Sequence, residues 1–378
     1  MEDLLPGDDD PRRHAVRRWL AAHPSASARE LAESGYVAPH WPEPWGLGAD
    51  PVHQLIIDDE FARAGVKRPS NQIGIGWAAP TIIHAGTDEQ KERYVLPALA
   101  GEEIWCQLFS EPGAGSDLAS LQTKAIRDGE EWIITGQKVW TSGAHYSDIG
   151  EIICRTDADQ PKHKGLTGFI VDMKAPGVEI RPLRQMTGGA SFNEVFFTEV
   201  RVRDDHRLGD VNNGWNVALT TLMNERAAIG GGGGGADPLT RVYAMVRHYG
   251  LDKDPIVRDK LADLYTRYRV ASYNNQRAMA KIRAGQTPGP EMSTAKMALT
   301  DNQLRLCAFL SEVLGPKIVV DTGEWGTYAW NQLILGTPGL RIAGGSDEVM
   351  RNIVGERVLG LPKEPGIDSK SPFRDLAK

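Results

Sequence analysis

Between Trp105 and about Asp210 the sequence changes its period, and that change limits the folds open to the whole chain. Five short segments, EWIITGQKVW, IGEIICRT, LTGFIVDM, GVEIRPL and NEVFFTEVRV, are rich in β-branched residues and divided by Gly, Asp and Pro turns. Such runs read as strands of an antiparallel sheet or small barrel. On either side, from His14 to about Gly101 and from Gly214 to Val358, apolar residues recur at spacings of three and four, the period of amphipathic helices. The expectation is an α+β, mainly α chain in three parts: an N-terminal helical domain over 1–104, a middle antiparallel β-barrel or sheet domain over 105–212, and a C-terminal four-helix-bundle domain over 213–378. HWPEPWGLG (40–48) reads as a loop packed down by its tryptophans, and 156–165 and 254–259 read as exposed loops. The Pro- and Lys-rich tail, 360–378, reads as extended or frayed.

Composition narrows the function classes. A net charge of −7 argues against nucleic acid or an anionic membrane as partner. The three cysteines, Cys106, Cys154 and Cys307, are widely spaced and form no C-x-x-C pair, which argues against a disulfide scaffold or a bound metal. The acidic start, MEDLLPGDDDPRR, has no apolar signal core, and no apolar run nears the roughly 20 residues that span a bilayer. A cytoplasmic protein without membrane insertion is expected.

The chemistry points to EPGAGSD (111–117), which follows the apolar WCQLFS. Its glycines let backbone N–H groups approach a ligand, and Ser116 adds a hydroxyl, as in anion cradles. Alone, the segment reads more readily as a plain turn; it lacks the Gly-Lys-Ser/Thr of a phosphate loop, and no βαβ unit surrounds it. Paired with 106–117, however, is GQKVWTSGA at 136–144, and the chain closes on IAGGSDEVMRNIVGERVLGLP. In order and spacing these three segments resemble the acyl-CoA dehydrogenase family, and the likeness extends over nearly the whole chain.

The resemblance implies FAD, an acyl-CoA substrate desaturated between its α and β carbons, and electrons passed to an electron-transfer flavoprotein. On matching positions, Gln107, Leu108, Phe109 and Ser110 would line the flavin ring, with Gly115 beside the cradle serine, Ser116, which faces the acyl-CoA. Trp140 would cover the ring and Ser142 would lie near N5, with Thr141 also among the cofactor contacts; without the resemblance, Trp140 reads as a core residue and Ser142 as a turn residue. Ser346, Asp347 and Glu348 would meet the cofactor, and Gly345 the substrate.

The family's base is a glutamate that removes the α-proton. One usual position for it, next to the terminal Gly-Ser, is Gly344 here, which can offer only its backbone N–H to the thioester carbonyl. A minority of the family, including isovaleryl- and long-chain-type enzymes, places the glutamate on the first long helix after the β domain, which gives Glu225 in LTTLMNERAAIG. The alternatives are a solvated or Arg226-paired Glu225, with Asp347 and Glu348 as reserve carboxylates. Arg226 would organise the substrate pocket. Gly230–Gly235, just downstream, either makes room for a bulky acyl group or a close approach of helix or cofactor, or is a locally unwound helix. Two departures from the family concern segments that usually reach a neighbouring subunit's FAD. The R-x-x-F-G segment is represented only by a shortened stretch at 247–264, and the Q-x-x-G-G-x-G segment is replaced by SEVLGPKIVVDTGEWGTY (311–328). The resemblance thus leaves open a homodimer or homotetramer, a non-catalytic or active chain of a heteromeric pair, and a flavin monooxygenase or oxidase on the same fold.

Overall fold

The computed structural model describes residues 5–230, 238–283, 289–363 and 370–376. They form two compact units: one takes in 1–184, 190–225 and 366–378, the other 185–189 and 226–365.

The first unit opens with α1 (Pro11–Ala22), α2 (Ala28–Glu33), α3 (Pro51–Ala64), α4 (Ala79–Ala85) and α5 (Asp88–Ala100). Local sequence sets their ends. Asp10-Pro11 and Asp50-Pro51 each supply an aspartate that accepts backbone N–H groups of the first turn and a proline at the first helical position. Ser27 with Glu30, and Thr87 with Gln90, form reciprocal capping boxes on α2 and α5. The HWPEPWGLG segment is the expected loop; Trp41 is buried and Trp45 packs on the same apolar cluster.

Eight strands follow: β1 (Trp105–Leu108), β2 (Lys124–Asp128), β3 (Glu131–Ser142), β4 (Ile149–Arg155), β5 (Leu166–Asp172), β6 (Val178–Leu183), β7 (Phe192–Arg203) and β8 (Arg207–Leu208). They make one sheet in the order β6-β7-β3-β2-β4-β5-β8, with β1 added beside β4. The pairings are mainly antiparallel, but β1 runs parallel to β4, with Gln107 opposite Glu151. β4 is buried along its whole length and divides its faces by alternation. Ile152 and Cys154 enter the cluster built from Trp132, Phe169 and Phe197, whereas Ile149 and Ile153 enter the cluster of the N-terminal helices. Glu151 shares the helix-facing side.

α6 (Gly214–Gly230) begins where a Cβ on Gly214 would lie 2.6 Å from the Thr167 backbone, so only glycine lets the helix start this close to β5. Its residues to Glu225 belong to the first unit and those from Arg226 to the second. The second unit continues with α7 (Pro238–His248), α8 (Pro255–Arg283), α9 (Ser293–Leu314), α10 (Asn331–Leu340) and α11 (Asp347–Ile353). Leu239, Val242, Leu264, Leu306 and Leu310 form its core.

Three expectations need correcting. Residues 254–259 are the capped start of α8, where the Asp254 carboxylate accepts from Ile256 N at 2.8 Å. In 156–165, Lys162 is buried and paired to Asp117. The tail is not frayed throughout: Phe373 lies 3.9 Å from the buried Arg155 guanidinium, which itself donates to the carbonyls of Lys162 and Ala119. The three cysteines are free thiols. Among the described residues no helix is long and apolar enough to cross a membrane, and no cluster of His, Cys, Asp and Glu is placed to hold a metal.

Candidate active site

The residues that follow β1 and those that end β3 lie side by side. Val139 N donates to Ser110 O at 2.9 Å, and the Lys138 ammonium donates to Phe109 O at 3.0 Å and to Glu111 Oε1 at 2.8 Å. Glu111 in turn accepts from the backbone N–H groups of Gln122 and Thr123, at 2.6 and 2.9 Å. Burial opposes the Glu111 charge, but Lys138 and these donors hold its carboxyl below the usual range. One buried ion pair therefore fixes the start of the EPGAGSD segment. Gly113 and Gly115 face open space, where an added Cβ would touch nothing. Ser116 is exposed. Asp117 is tied back by Lys162 Nζ at 2.7 Å and by the Ser120 hydroxyl.

The end of β3 is irregular where the resemblance expects a flavin ring. A bulge between Lys138 and Thr141 leaves Trp140 with φ of 61°, a left-handed conformation rare for a bulky residue. Its indole is 62% exposed and makes an edge contact with Phe192. Backbone strain of this kind clusters at ligand clamps. Next to it, the buried Thr141 hydroxyl has no hydrogen-bond partner. A polar hydroxyl left unpaired in a buried place costs about 1–3 kcal/mol, a cost that a polar ring edge would remove. The exposed aromatic, the orphaned hydroxyl and the backbone of 107–110 suit a flat heteroaromatic group. Ser142 is half-buried.

Glu225 is buried at the end of the first unit's part of α6 and accepts from Gln107 Nε2 at 3.3 Å. Arg226 lies in the same helix, but its side chain falls outside the described residues, as do Gly231–Gly235. One turn before Glu225, Thr221 donates to Glu151 Oε1 at 2.6 Å and lies 2.8 Å from the Thr81 hydroxyl. Glu151, Thr221 and the Lys138–Glu111 pair are absent from the sequence reading. A visible signal existed for one of them, a lone carboxylate inside the apolar run IGEIIC.

Burial, opposed by the Thr221 hydroxyl and reinforced by the Glu225 charge, pushes the Glu151 carboxyl up to about 8. From about pH 4.5 to 8 the folded chain therefore keeps a proton that the unfolded chain has released, and stability falls as pH rises. The expected slope from this group is up to ~1.4 kcal/mol per pH unit. Glu151→Gln should flatten it, as read from denaturant midpoints at pH 5 and pH 8.

In the second unit, Gly344 and Gly345 take φ of 65° and 90°, so the segment before α11 turns sharply. Lys296 Nζ secures the turn through the carbonyls of Arg341 and Gly345 and the Asp347 carboxylate. Asp347 also accepts from Thr300 and Arg341. Burial works against its charge, yet these partners hold the carboxyl below its usual range. Asp347 is thus occupied in holding the turn, and Glu348 is exposed and paired to Arg351. Ser346 caps α11 by accepting from Val349 N. A Cβ on Gly345 would lie 2.6 Å from Met350 Cε at a positive φ. Gly345→Ala is therefore expected to cost about 1–3 kcal/mol, measurable as a lowered thermal midpoint.

The chain is similar to known proteins over most of its length. Residues 9–102, 106–200 and 212–359 match the N-terminal, middle and C-terminal domains of acyl-CoA dehydrogenases. Acyl-CoA dehydrogenase IpdE1 of Mycobacterium tuberculosis is 38% identical over 343 residues, 89% of this chain and 87% of that one. The chain belongs to the acyl-CoA dehydrogenase family. Acyl-CoA dehydrogenase FadE34 of the same organism is 45% identical over 88% of this chain, which spans only 46% of that relative's length. Among solved structures, the Tcur3481-Tcur3483 steroid ACAD superposes with a TM-score of 0.76 at 29% identity, covering 96% of this chain and 95% of that one. The ChsE4-ChsE5 complex from Mycobacterium tuberculosis gives 0.74 at 29% identity, covering 94% and 98%.

Proposed function

We propose that this chain is an FAD-dependent acyl-CoA dehydrogenase in which Glu225 removes the substrate α-proton. The observation that carries the reading is the buried Glu225 carboxylate, joined to Gln107 at the end of β1, while Gly344, at the other place where the family keeps its base, has no side chain. Desolvation strengthens a carboxylate as a base, because water no longer stabilises its charge.

Gln107, Leu108, Phe109, Ser110, Trp140, Thr141 and Ser142 would hold the isoalloxazine. FAD, when bound, supplies the acceptor for the β-hydrogen. The protein's own part is to hold the thioester so that its α-carbon faces Glu225. By the resemblance, the backbone N–H of Gly344 would stabilise the enolate oxygen, Gly345 and Arg226 would meet the substrate, and Ser116 would contact the CoA portion. An electron-transfer flavoprotein would reoxidise the enzyme.

The substrate class favoured is a bulky, ring-bearing or branched acyl-CoA. Its support is the likeness to a structure named as a steroid ACAD, together with the placement of the base on α6. A second reading concerns assembly: the chain works as one member of a heteromeric pair. In its favour are the replaced segment 311–328, the two-component names of the neighbours, and a relative of about twice this length. Purifying the chain alone separates the two. A near-stoichiometric flavin spectrum supports a self-sufficient enzyme, and a colourless protein that takes up FAD only with a co-expressed partner supports the pair.

A further inference from the structure

Glu151 is an expensive residue where it stands. It lies in the helix-facing side of β4 between Ile149 and Ile153, is 1% exposed, and receives one hydrogen bond, from Thr221; its Oε2 has no partner. An isoleucine would fill the same place without a desolvation cost, so packing does not account for a carboxyl. What surrounds it is specific. Gln107 is its register partner on parallel β1, so the two side chains stand next to each other on one face of the sheet. Thr221 and Glu225 are four residues apart on α6, so they too share a face. Two hydrogen bonds join the pairs crosswise: Gln107 to Glu225 at 3.3 Å and Thr221 to Glu151 at 2.6 Å. Two carboxyls thus occupy neighbouring corners of one buried polar patch.

We propose that Glu151 is a positioning residue for the Glu225 base: it carries a proton on its unpartnered oxygen, so that Glu225 is the carboxylate of the pair. The inference rests on the dehydrogenase reading for its catalytic meaning, but the pairing itself does not. Among the described residues, the other groups placed beside Glu151 carry no charge: Gln107 from β1, Thr221 from α6, which also meets Thr81 of α4, and Ile170 opposite it on β5. Glu225 is the charged group that acts on it, and that charge favours the protonated form. Two like charges this deep cannot both be held cheaply. During turnover the α-proton passes from the substrate carbon to Glu225, Glu151 retains its own proton, and the pair then holds two. One returns to solvent after product leaves.

The arrangement predicts a coupled titration. In the infrared, the whole chain at pH 7 should show the carbonyl stretch of a buried protonated carboxyl, lost as pH is raised towards 9. Glu151→Gln, which keeps the shape, should lack the band. Glu225→Gln should keep it but move its loss to lower pH, because the neighbouring negative charge is gone. The rate of flavin reduction by an acyl-CoA should rise by roughly two- to tenfold across the same alkaline range, since a second charge makes Glu225 a stronger base. In Glu151→Gln that rise should be missing. Absence of the band at pH 7, or an unchanged titration in Glu225→Gln, overturns the proposal. So does a Glu151→Gln variant that loses stability yet keeps the wild-type pH profile, since this is what a merely structural carboxyl would give. The infrared arm needs no substrate: a coupled pair in a chain that oxidises no acyl-CoA would refute the functional reading and leave the pairing standing.

Discussion

Replacing Glu225 by Gln is expected to lower the rate of flavin bleaching by an acyl-CoA about 10²–10⁴-fold, the usual contribution of a positioned general base. The amide has the shape of the carboxylate and can still meet Gln107, so folding and flavin binding should be retained. The same change at Asp347 or Glu348 should not produce this pattern. Asp347 is held by Lys296, Thr300 and Arg341, so its loss should appear in stability; Glu348 is exposed and paired to Arg351, so its loss should have little effect. Stopped-flow reduction with each variant, normalised to bound flavin, makes the comparison. A Glu225→Gln chain with wild-type reduction would remove the assigned base.

Lys138→Met is expected to be the most damaging single change to the middle domain. Lys138 is fully buried, and its ammonium joins Phe109 O and the Glu111 carboxylate. Its removal strands a buried carboxylate, which costs about 3–5 kcal/mol. For a chain of this size that is a fall in melting temperature of about 4–6 °C. Adding Glu111→Gln should recover part of the loss, because an amide is cheaper to bury than an unpaired charge. Flavin retention should fall with the single variant, since the pair fixes the backbone of 109–111 beside β3. Thermal unfolding of the two single variants and the double variant decides whether the residues act as a unit.

Much of the architecture was legible because it is local. Asp10-Pro11 and Asp50-Pro51 announce helix starts through a side-chain cap and a fixed φ. The same signal stands at Asp254-Pro255, where the long helical period of the C-terminal part begins as α8. The five β-branched segments became β3 to β7, whereas the parallel seating of β1 on β4 was not readable: a four-residue strand carries no mark of its partner. The site divides in the same way. Glu225 and Gly344 could be named from their motifs, and Trp140 from its place in one, but not the left-handed backbone that exposes its ring. Glu151 stood out only as a charge in an apolar strand; the hydroxyl that meets it, Thr221, is 70 residues away in sequence. Lys296, which secures the Gly344–Gly345 turn, is remote from the motif it serves and carries no signal in its surroundings. Long-range polar pairs of this kind are chosen by packing, which a single sequence does not display.

The most direct test of the account is anaerobic flavin reduction, with the chain alone or with its partner, by a panel of acyl-CoA thioesters carrying hydrogen or deuterium at the α-carbon. The account predicts rapid bleaching by bulky or branched thioesters, slowed by α-deuteration and abolished in Glu225→Gln. A flavin-loaded protein that no thioester bleaches, or that bleaches without sensitivity to the α-hydrogen or to Glu225, would contradict it.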